Sequence, residues 1–344
     1  MRRATIADLS KVSGVSTSTI NRLLGGRAKV RPETIQRVRN AAEEIGFYGL
    51  GTLLEREKDA LPHYRLGVLL QQSNRQIYQL FGSSIVDAAR MRKDARIETT
   101  VNFVDELSPD SISKALFRLG ERVNAIAVVC ADHPQISQTI NVLRERGVPT
   151  IAYITDLSAP NRAGYVGTDN WKLGRTAAYI VANMVKRQGK IATFIGNHRY
   201  QCQDISDASF RSYVREHARH MTVMDAFMTN EESDVAYDLV RDLFAKEHDL
   251  VGLYVIGGGI SGVLRAIREL PEEHRSEIRV VCRDVGTATR TGLNEGLITA
   301  ALCHPLGRTS NELINTMIEA IGQDKNAAII QRTVPFEILT PENV

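Results

Sequence analysis

The chain has 344 residues, 43% hydrophobic and 24% charged, with a formal net charge of +3. That length exceeds one ordinary core and calls for two or three folding units of a globular protein, not a disordered or fibrous one. No apolar run approaches the roughly 18 residues needed to span a bilayer. The start, Met1-Arg2-Arg3 followed by polar residues, lacks the apolar stretch of a secretory signal, so a cytoplasmic protein with no membrane partner is expected. Cys130, Cys202, Cys282 and Cys303 are widely scattered with no CxxC spacing, and buried reduced thiols suit that compartment.

The charge is uneven. Residues 1–50 carry nine basic and four acidic side chains, a local +5 that leaves −2 for the rest. A small basic head on a near-neutral body points to a polyanion partner for the head alone.

Three short helical patterns fill residues 5–46. Thr5 is placed to cap the first, whose apolar face is Ile6, Leu9 and either Val12 or Ser13. Gly14 breaks it with a tight turn. Ser16 caps the second, with Ile20, Leu23 and Leu24 inward and Thr17, Ser18, Thr19, Asn21 and Arg22 outward, before Gly25-Gly26 ends it. The third begins near Arg31-Pro32 and carries the stripe Ile35, Val38, Ala41, Ala42 and Ile45. The second helix is the informative one. Its tip is short, polar and uncharged apart from Arg22, as a helix reaching base edges in the major groove must be. Ser16, Thr17 and Thr19 offer hydroxyls to phosphates. Thr17 and Ser18 suit base edges or a thymine methyl, and Arg22 suits bidentate bonding to guanine. The alternative is a small helical bundle that binds protein; basic flanks and the helix–glycine turn–helix spacing favour DNA.

The run Thr5-Ile-Ala-Asp-Leu-Ser-Lys-Val-Ser-Gly-Val-Ser-Thr-Ser-Thr-Ile-Asn-Arg-Leu-Leu24, followed by Val30–Val38 and Ala41–Phe47, closely resembles the lactose-repressor/galactose-repressor (LacI/GalR) family. The resemblance implies a transcription regulator, a repressor in type, that binds double-stranded operator DNA as a homodimer on a near-palindromic site. It assigns base reading to Thr17, Ser18 and Arg22, and phosphate contact or support of the turn to Thr5, Ser16, Thr19 and Asn21. Ser10 departs from the family's usual alanine. Beyond Phe47 the likeness weakens: two glycines, Gly49 and Gly51, replace the family's proline-led hinge segment. Leu53 or Leu54 is then either a wedge for the minor groove or part of a tether whose leucines pack on a core.

From Tyr64 strand and helix patterns alternate. Strands are predicted at Arg65–Leu70, Ile97–Val104, Ala125–Cys130 and Pro149–Ile154. A second series follows at Ile191–Ile195, Thr222–Phe227, Leu250–Ile256, Ile278–Cys282, Leu297–Cys303 and Val334–Ile338, with helices between most of them. Such alternation implies parallel sheets covered by helices. The expected architecture is an all-α helix-turn-helix head (1–49), a linker (50–63) and an α/β effector domain (64–344) of two doubly wound parallel-sheet lobes. The first lobe takes about 64–162 and 293–322, the second about 163–290 and 325–344.

Ligands of such folds bind outside the carboxyl ends of strands. Gln71, Gln72, Asp132, Asp204, Asp207 and Asp284 fall at or near such ends, and Asp169-Asn170 opens a helix. Carboxylates there suit paired hydroxyls, and an aromatic face such as Tyr78 suits a sugar's C–H surface. Each residue alone is more often a cap or turn former. The body resembles the family's effector domain, similar to periplasmic sugar-binding proteins, and that likeness implies a small polar effector, a sugar or cyclitol, in the interlobe cleft. It adds Ile77 with Tyr78 as apolar contacts, places Asp132, Asp169, Asn170 and Asp284 along the cleft, and sets Gly258 where the family has an Asn-Asp. Ser206 stands where the family often has arginine.

Two rival readings have a basis in the residues. Gly257-Gly-Gly-Ile-Ser-Gly262 fits GxGxxG, with Asp284 about 20 residues on, as in an NAD-dependent dehydrogenase. The run comes late, however, whereas that fingerprint opens the first unit. His217 and His220 have a spacing that admits a metal, yet Arg215 and Arg219 beside them mark a solvated face. No GxSxG, HExxH or P-loop GK[ST] occurs. A regulator with no catalytic residue, cofactor or metal is expected.

Overall fold

The fold comes from a computed structural model that describes residues 3–25, 30–53 and 61–344. Two compact units divide the chain: residues 1–64 with 91–98, and residues 65–90 with 99–344.

The first unit contains α1 (Ile6–Ser13), α2 (Thr17–Gly25) and α3 (Pro32–Glu44). Thr5 caps α1 reciprocally, its hydroxyl accepting from Asp8 N at 3.3 Å while Thr5 N donates to the Asp8 carboxylate at 2.9 Å. Gly14 ends α1 at φ 64°, a left-handed conformation that favours glycine. Leu9, Ile20, Leu23, Ile35 and Val38 form the core, each worth roughly 1.5–3 kcal/mol if fully buried. Of the two candidates for the end of the α1 face, Val12 is exposed and Ser13 half-buried. Ser10 turns its departure from alanine into a hydrogen bond, Oγ donating to Val15 O at 2.7 Å. Leu53, one of the two candidate wedges, is instead fully buried in this core with Phe47. A side chain already held among apolar neighbours must leave them to enter a groove. Leu54 lies outside the described residues.

The larger unit carries two sheets. The first has the order β12-β5-β4-β3-β1-β2. Its strands are β1 (His63–Gln71), β2 (Arg96–Val104), β3 (Ala125–Val128), β4 (Thr150–Tyr153), β5 (Gly164–Thr168) and β12 (Ile330–Val334). Helices α4 (Gln76–Arg90), α5 (Pro109–Gly120), α6 (Pro134–Glu145) and α13 (Leu306–Gly322) accompany it. The second has the order β13-β11-β10-β9-β6-β7, with β8 also beside β6. It comprises β6 (Gly189–Ile195), β7 (Met221–Val223), β8 (Phe227–Met228), β9 (Leu250–Val255), β10 (Arg279–Arg283), β11 (Ala300–Cys303) and β13 (Glu337–Leu339). Its helices are α7 (Asn170–Met184), α8 (Gln201–His217), α9 (Ser233–Lys246), α10 (Ile260–Arg268), α11 (Glu272–Glu277) and α12 (Thr287–Asn294). Within the second sheet β13 is antiparallel to β11, while β9, β10 and β11 run parallel.

Two mainly parallel sheets agree with the expected fold class, but the division of the chain between them does not agree with the expected lobes. The segment 164–168 pairs with β4 in the first sheet, not the second. Residues 300–303 pair with β10 in the second sheet, although α13, which follows them, packs on the first. Residues 330–334 pair with β5 in the first. The single predicted strand Val334–Ile338 is two strands in different sheets. Pro335 separates them, and a proline lacks the N–H that would continue a ladder. Alternation reveals that strands exist, not which sheet they join. The two glycines of Gly164-Tyr-Val-Gly-Thr168 hid β5, and the predicted strand Thr222–Phe227 is two short pieces, both beside β6. The chain therefore passes between the lobes three times, after β5, β11 and β12.

Candidate functional site: the interlobe cleft and the second helix of the head

The exposed start of α2 is a local hydroxyl network. Ser16 Oγ accepts from Thr19 N at 3.3 Å, capping the helix, and lies 3.1 Å from Ser18 Oγ and 2.9 Å from Thr19 Oγ1. Arg22 Nη2 donates to Thr19 Oγ1 at 3.3 Å. Thr17, Ser18, Asn21 and Arg22 are exposed, opposite buried Ile20 and Leu23. The expected base-reading and supporting residues thus share one outward face, with Arg22 steadied over the helix tip; Thr5 is spent on capping α1.

Between the two sheets of the larger unit lies a cavity of about 360 Å³, within the usual range for small-molecule sites. Backbone strain marks part of its lining, at Ile154, Glu231 and Asp284. Every non-glycine residue at positive φ among those described, namely Gln72, Ile154, Asn230, Glu231 and Asp284, falls just after β1, β4, β8 or β10. Left-handed conformations cost about 1–3 kcal/mol each and cluster at ligand clamps. Ile154, β-branched at φ 66°, is the most unusual of them.

Four of the expected ligand residues line the cavity: Ile77, Tyr78, Gly258 and Asp284. Tyr78 is buried and donates to Gln71 Oε1 at 3.0 Å, where Tyr200 from the second lobe also donates at 3.1 Å. Burial pushes the Tyr78 phenol well above its usual range, so it remains a neutral donor. The Asp284 Oδ1 accepts from His304 Nδ1 at 2.6 Å and from His304 N at 3.0 Å. Burial alone would raise the Asp284 carboxyl, but the His304 ring and the Arg283 guanidinium outweigh it and hold it down at about 2. With its Nδ1 proton directed to Asp284, the ring offers Nε2 to Arg283 Nη2 at 3.2 Å and Thr168 Oγ1 at 3.3 Å. Two of the chain's crossings between lobes meet at this ring.

Six expected residues are absent from the lining. Gln72 accepts from Arg75 Nη1 at 3.1 Å and shapes the loop. Asp132 Oδ2 accepts from Ser158 N at 3.1 Å and Gln201 Nε2 at 3.0 Å, holding α8. Asp169 caps α7 by accepting from Lys172 N at 3.0 Å, and Asn170 Nδ2 donates to Tyr165 OH at 3.3 Å. Asp204 pairs with His198 at 2.9 Å and Asp207 with Arg211 at 2.6 Å. Turn, cap and ion-pair roles account for these polar groups. Ser206, where the resemblance suggests arginine, lies 2.7 Å from Tyr254 OH.

Sequence reasoning missed Arg75, Gln203, Glu231 and Arg283, all in the lining. Arg75, on the first lobe, forms an ion pair across the cleft with buried Glu231 on the second. Gln203 braces that carboxylate, donating from Nε2 to Glu231 Oε1 at 2.8 Å. Gln76 Oε1 makes a second crossing by accepting from Thr287 N. The one visible signal was Arg283, a charge ending the apolar strand Val280-Val-Cys. The glycine run has a packing explanation. A Cβ on Gly258 would collide with both Glu231 and Arg75, and one on Gly262 with the Ser233 carbonyl. Gly259, at φ 105°, takes a conformation unfavourable for other residues. These close approaches account for the glycines without a nucleotide.

A helix-turn-helix head joined to a bilobed α/β body is the architecture of a DNA-binding regulator built on a binding-protein scaffold. Residues 5–49 match the bacterial regulatory proteins of the lacI family, and residues 67–325 match the periplasmic binding protein domain. The ribitol operon repressor of Klebsiella aerogenes is 27% identical over 206 residues, 58% of this chain and 72% of that protein. The HTH-type transcriptional regulator IdnR of Escherichia coli K12 is 21% identical over 285 residues, covering 78% and 77% of the two chains. The crystal structure of GanP, a glucose-galactose binding protein from Geobacillus stearothermophilus, superimposes with a TM-score of 0.72 at 17% identity, over 82% of this chain and 99% of that one. A carbohydrate transporter solute binding protein from Agrobacterium radiobacter, in complex with D-arabinose, gives a TM-score of 0.72 at 15% identity, covering 82% and 95%. The body belongs to the periplasmic binding protein domain family, and the head matches the bacterial regulatory proteins of the lacI family. It is a DNA-binding transcription regulator. No described helix is long and apolar enough to cross a membrane.

Proposed function

We propose that the protein is a cytoplasmic homodimeric repressor. Two heads read the half-sites of a near-palindromic operator through Thr17, Ser18 and Arg22, and a small polyhydroxylated effector, a sugar or cyclitol, binds between the lobes and changes operator affinity. The observation that carries the effector reading is the cavity itself: about 360 Å³, with Tyr78, Glu231, Arg283 and Asp284 converging on it from both lobes. An aromatic ring beside ionised groups fits a ligand with a C–H face and several hydroxyls. The names of the relatives, a ribitol operon repressor and binding proteins for glucose-galactose and arabinose, support the same ligand class. A ligand that bridges the lobes favours one arrangement of them over another, and only such differential binding shifts an equilibrium.

Selection of bound duplexes from a random pool tests the DNA part. Two inverted half-sites and affinity that falls steeply with salt are expected; a single unrepeated site would remove the dimer. Thermal-shift screening of sugars and polyols, repeated on Asp284→Ala, tests the effector part. Stabilisation by at least one compound, lost in the variant, is expected. Equal stabilisation of both proteins would reduce Asp284 to a partner of His304.

A further inference from the structure

The Arg283 guanidinium is 9% exposed as a residue and lines the cavity. Arginine stays charged in proteins, and a buried charge is costly unless it is matched. Asp284 attracts the guanidinium through space, yet no carboxylate among the described residues bonds to it directly. Its Nη2 meets the ring nitrogen of His304 at 3.2 Å, and its buried Nε has no hydrogen-bond partner among the described residues. No salt bridge to it occurs among the described residues. Burial pushes the nearby Cys202 thiol and the Tyr165 and Tyr254 phenols above their usual ranges, so all three are neutral. Neither of the two cavity carboxylates forms a hydrogen bond to Arg283 among the described residues. Glu231 is held by Arg75 and Gln203, and Asp284 directs Oδ1 to His304. Asp284 Oδ2 accepts no bond among the described residues, which leaves it open to a hydroxyl.

We propose that Arg283 sets the charge class of the effector: the ligand is a polyhydroxylated compound bearing an oxyanion, a carboxylate or a phosphate, that docks on the Arg283 guanidinium while a hydroxyl is held by Asp284. This rests on the reading of the cleft as an effector site and narrows it. A guanidinium presents a planar fork matched to either oxyanion. The His304 ring, fixed by Asp284, holds that fork in place, as a second shell of hydrogen bonds does in preorganised sites. The rival is a neutral polyol, with Asp284 supplying all the counter-charge through His304.

Isothermal titration of the full chain with matched series separates these. Each series takes one carbon skeleton in three forms, the neutral alditol, the aldonate and the sugar phosphate, across the pentoses and hexoses. For at least one skeleton an anionic form is expected to bind tenfold or more tightly than its alditol. Tighter aldonate identifies a sugar acid, and tighter phosphate identifies a phosphorylated sugar. Arg283→Gln should reduce that preference to within about twofold, with folding checked by circular dichroism. Alditols that bind as well as, or better than, their anionic forms to the wild-type protein would overturn the proposal and leave the effector reading standing, whatever the variant does. An anionic preference that persists in folded Arg283→Gln would also overturn it. No binding by any form of any skeleton would remove the effector reading and this proposal together.

Discussion

The head and the cleft are built on opposite principles. At the tip of α2 the polar contacts join Ser16, Ser18, Thr19 and Arg22, no two bonded partners more than three residues apart. In the cleft, Arg75 meets Glu231 across 156 positions and Gln76 meets Thr287 across 211. A local site tolerates change one residue at a time. A site assembled from distant strand ends is coupled, so loss of one partner leaves another buried and unmatched. The proposed function follows the same division: the head needs a fixed surface for DNA, whereas an effector cleft needs two lobes whose contacts can be exchanged for contacts to a ligand.

The largest effect is expected from Glu231→Ala in the cleft. Removing one member of a buried ion pair costs roughly 3–5 kcal/mol, and partial exposure of Arg75 (24% of its side chain) places the expected loss at the lower end. Urea unfolding should show a loss of about 3 kcal/mol, and the double variant Arg75→Met/Glu231→Met should recover part of it. Additive losses would mean the two residues act separately. In the head, Arg22→Ala should weaken operator binding by about 1–3 kcal/mol and relax base preference at one position. Uniform weakening across sequences, seen by gel shift, would reassign Arg22 to a phosphate.

Asp284 supplies a pH test. Its folded-state value, about 2, lies below the ordinary 3.8. The resulting stability is present above pH 4 and is lost as pH falls through the folded value. The difference corresponds to about 2 kcal/mol. Unfolding free energy should therefore fall more steeply from pH 4 to 2 in the wild type than in Asp284→Asn. Parallel curves would show that His304 does not hold the carboxylate. The smallest effect is Thr5→Ala, which should cost about 1 kcal/mol by removing a helix cap. It should alter the melting of the head and spare the body.

The same contrast explains what was legible in the sequence. Helices α1 to α3, their caps and the exposed face of α2 follow from spacing within a few residues. Asp284 was marked because strand ends can be located locally and Tyr78 for its aromatic face, whereas Ile77 and Gly258 came only from the likeness to sugar-binding proteins; all four line the cavity. Asp169, Asp204 and Asp207 occupy similar places, but their partners Lys172, His198 and Arg211 are all nearby in the chain and claim them. Glu231 was missed because it follows the two-residue strand β8 on a strained turn, and nothing near it in sequence announces Arg75. The exchange of β11 and β12 between lobes was illegible for a related reason: sheet membership depends on long-range pairing, which periodicity does not encode.

In the proposed mechanism, occupancy of the cleft changes the head's hold on DNA. Fluorescence anisotropy with a selected operator duplex and the full chain tests it directly, using a sugar or polyol already shown by titration to bind. At saturating ligand the operator Kd should change by at least fivefold, the lower end of ordinary allosteric coupling. An unchanged Kd with the ligand demonstrably bound would contradict coupling between cleft and head.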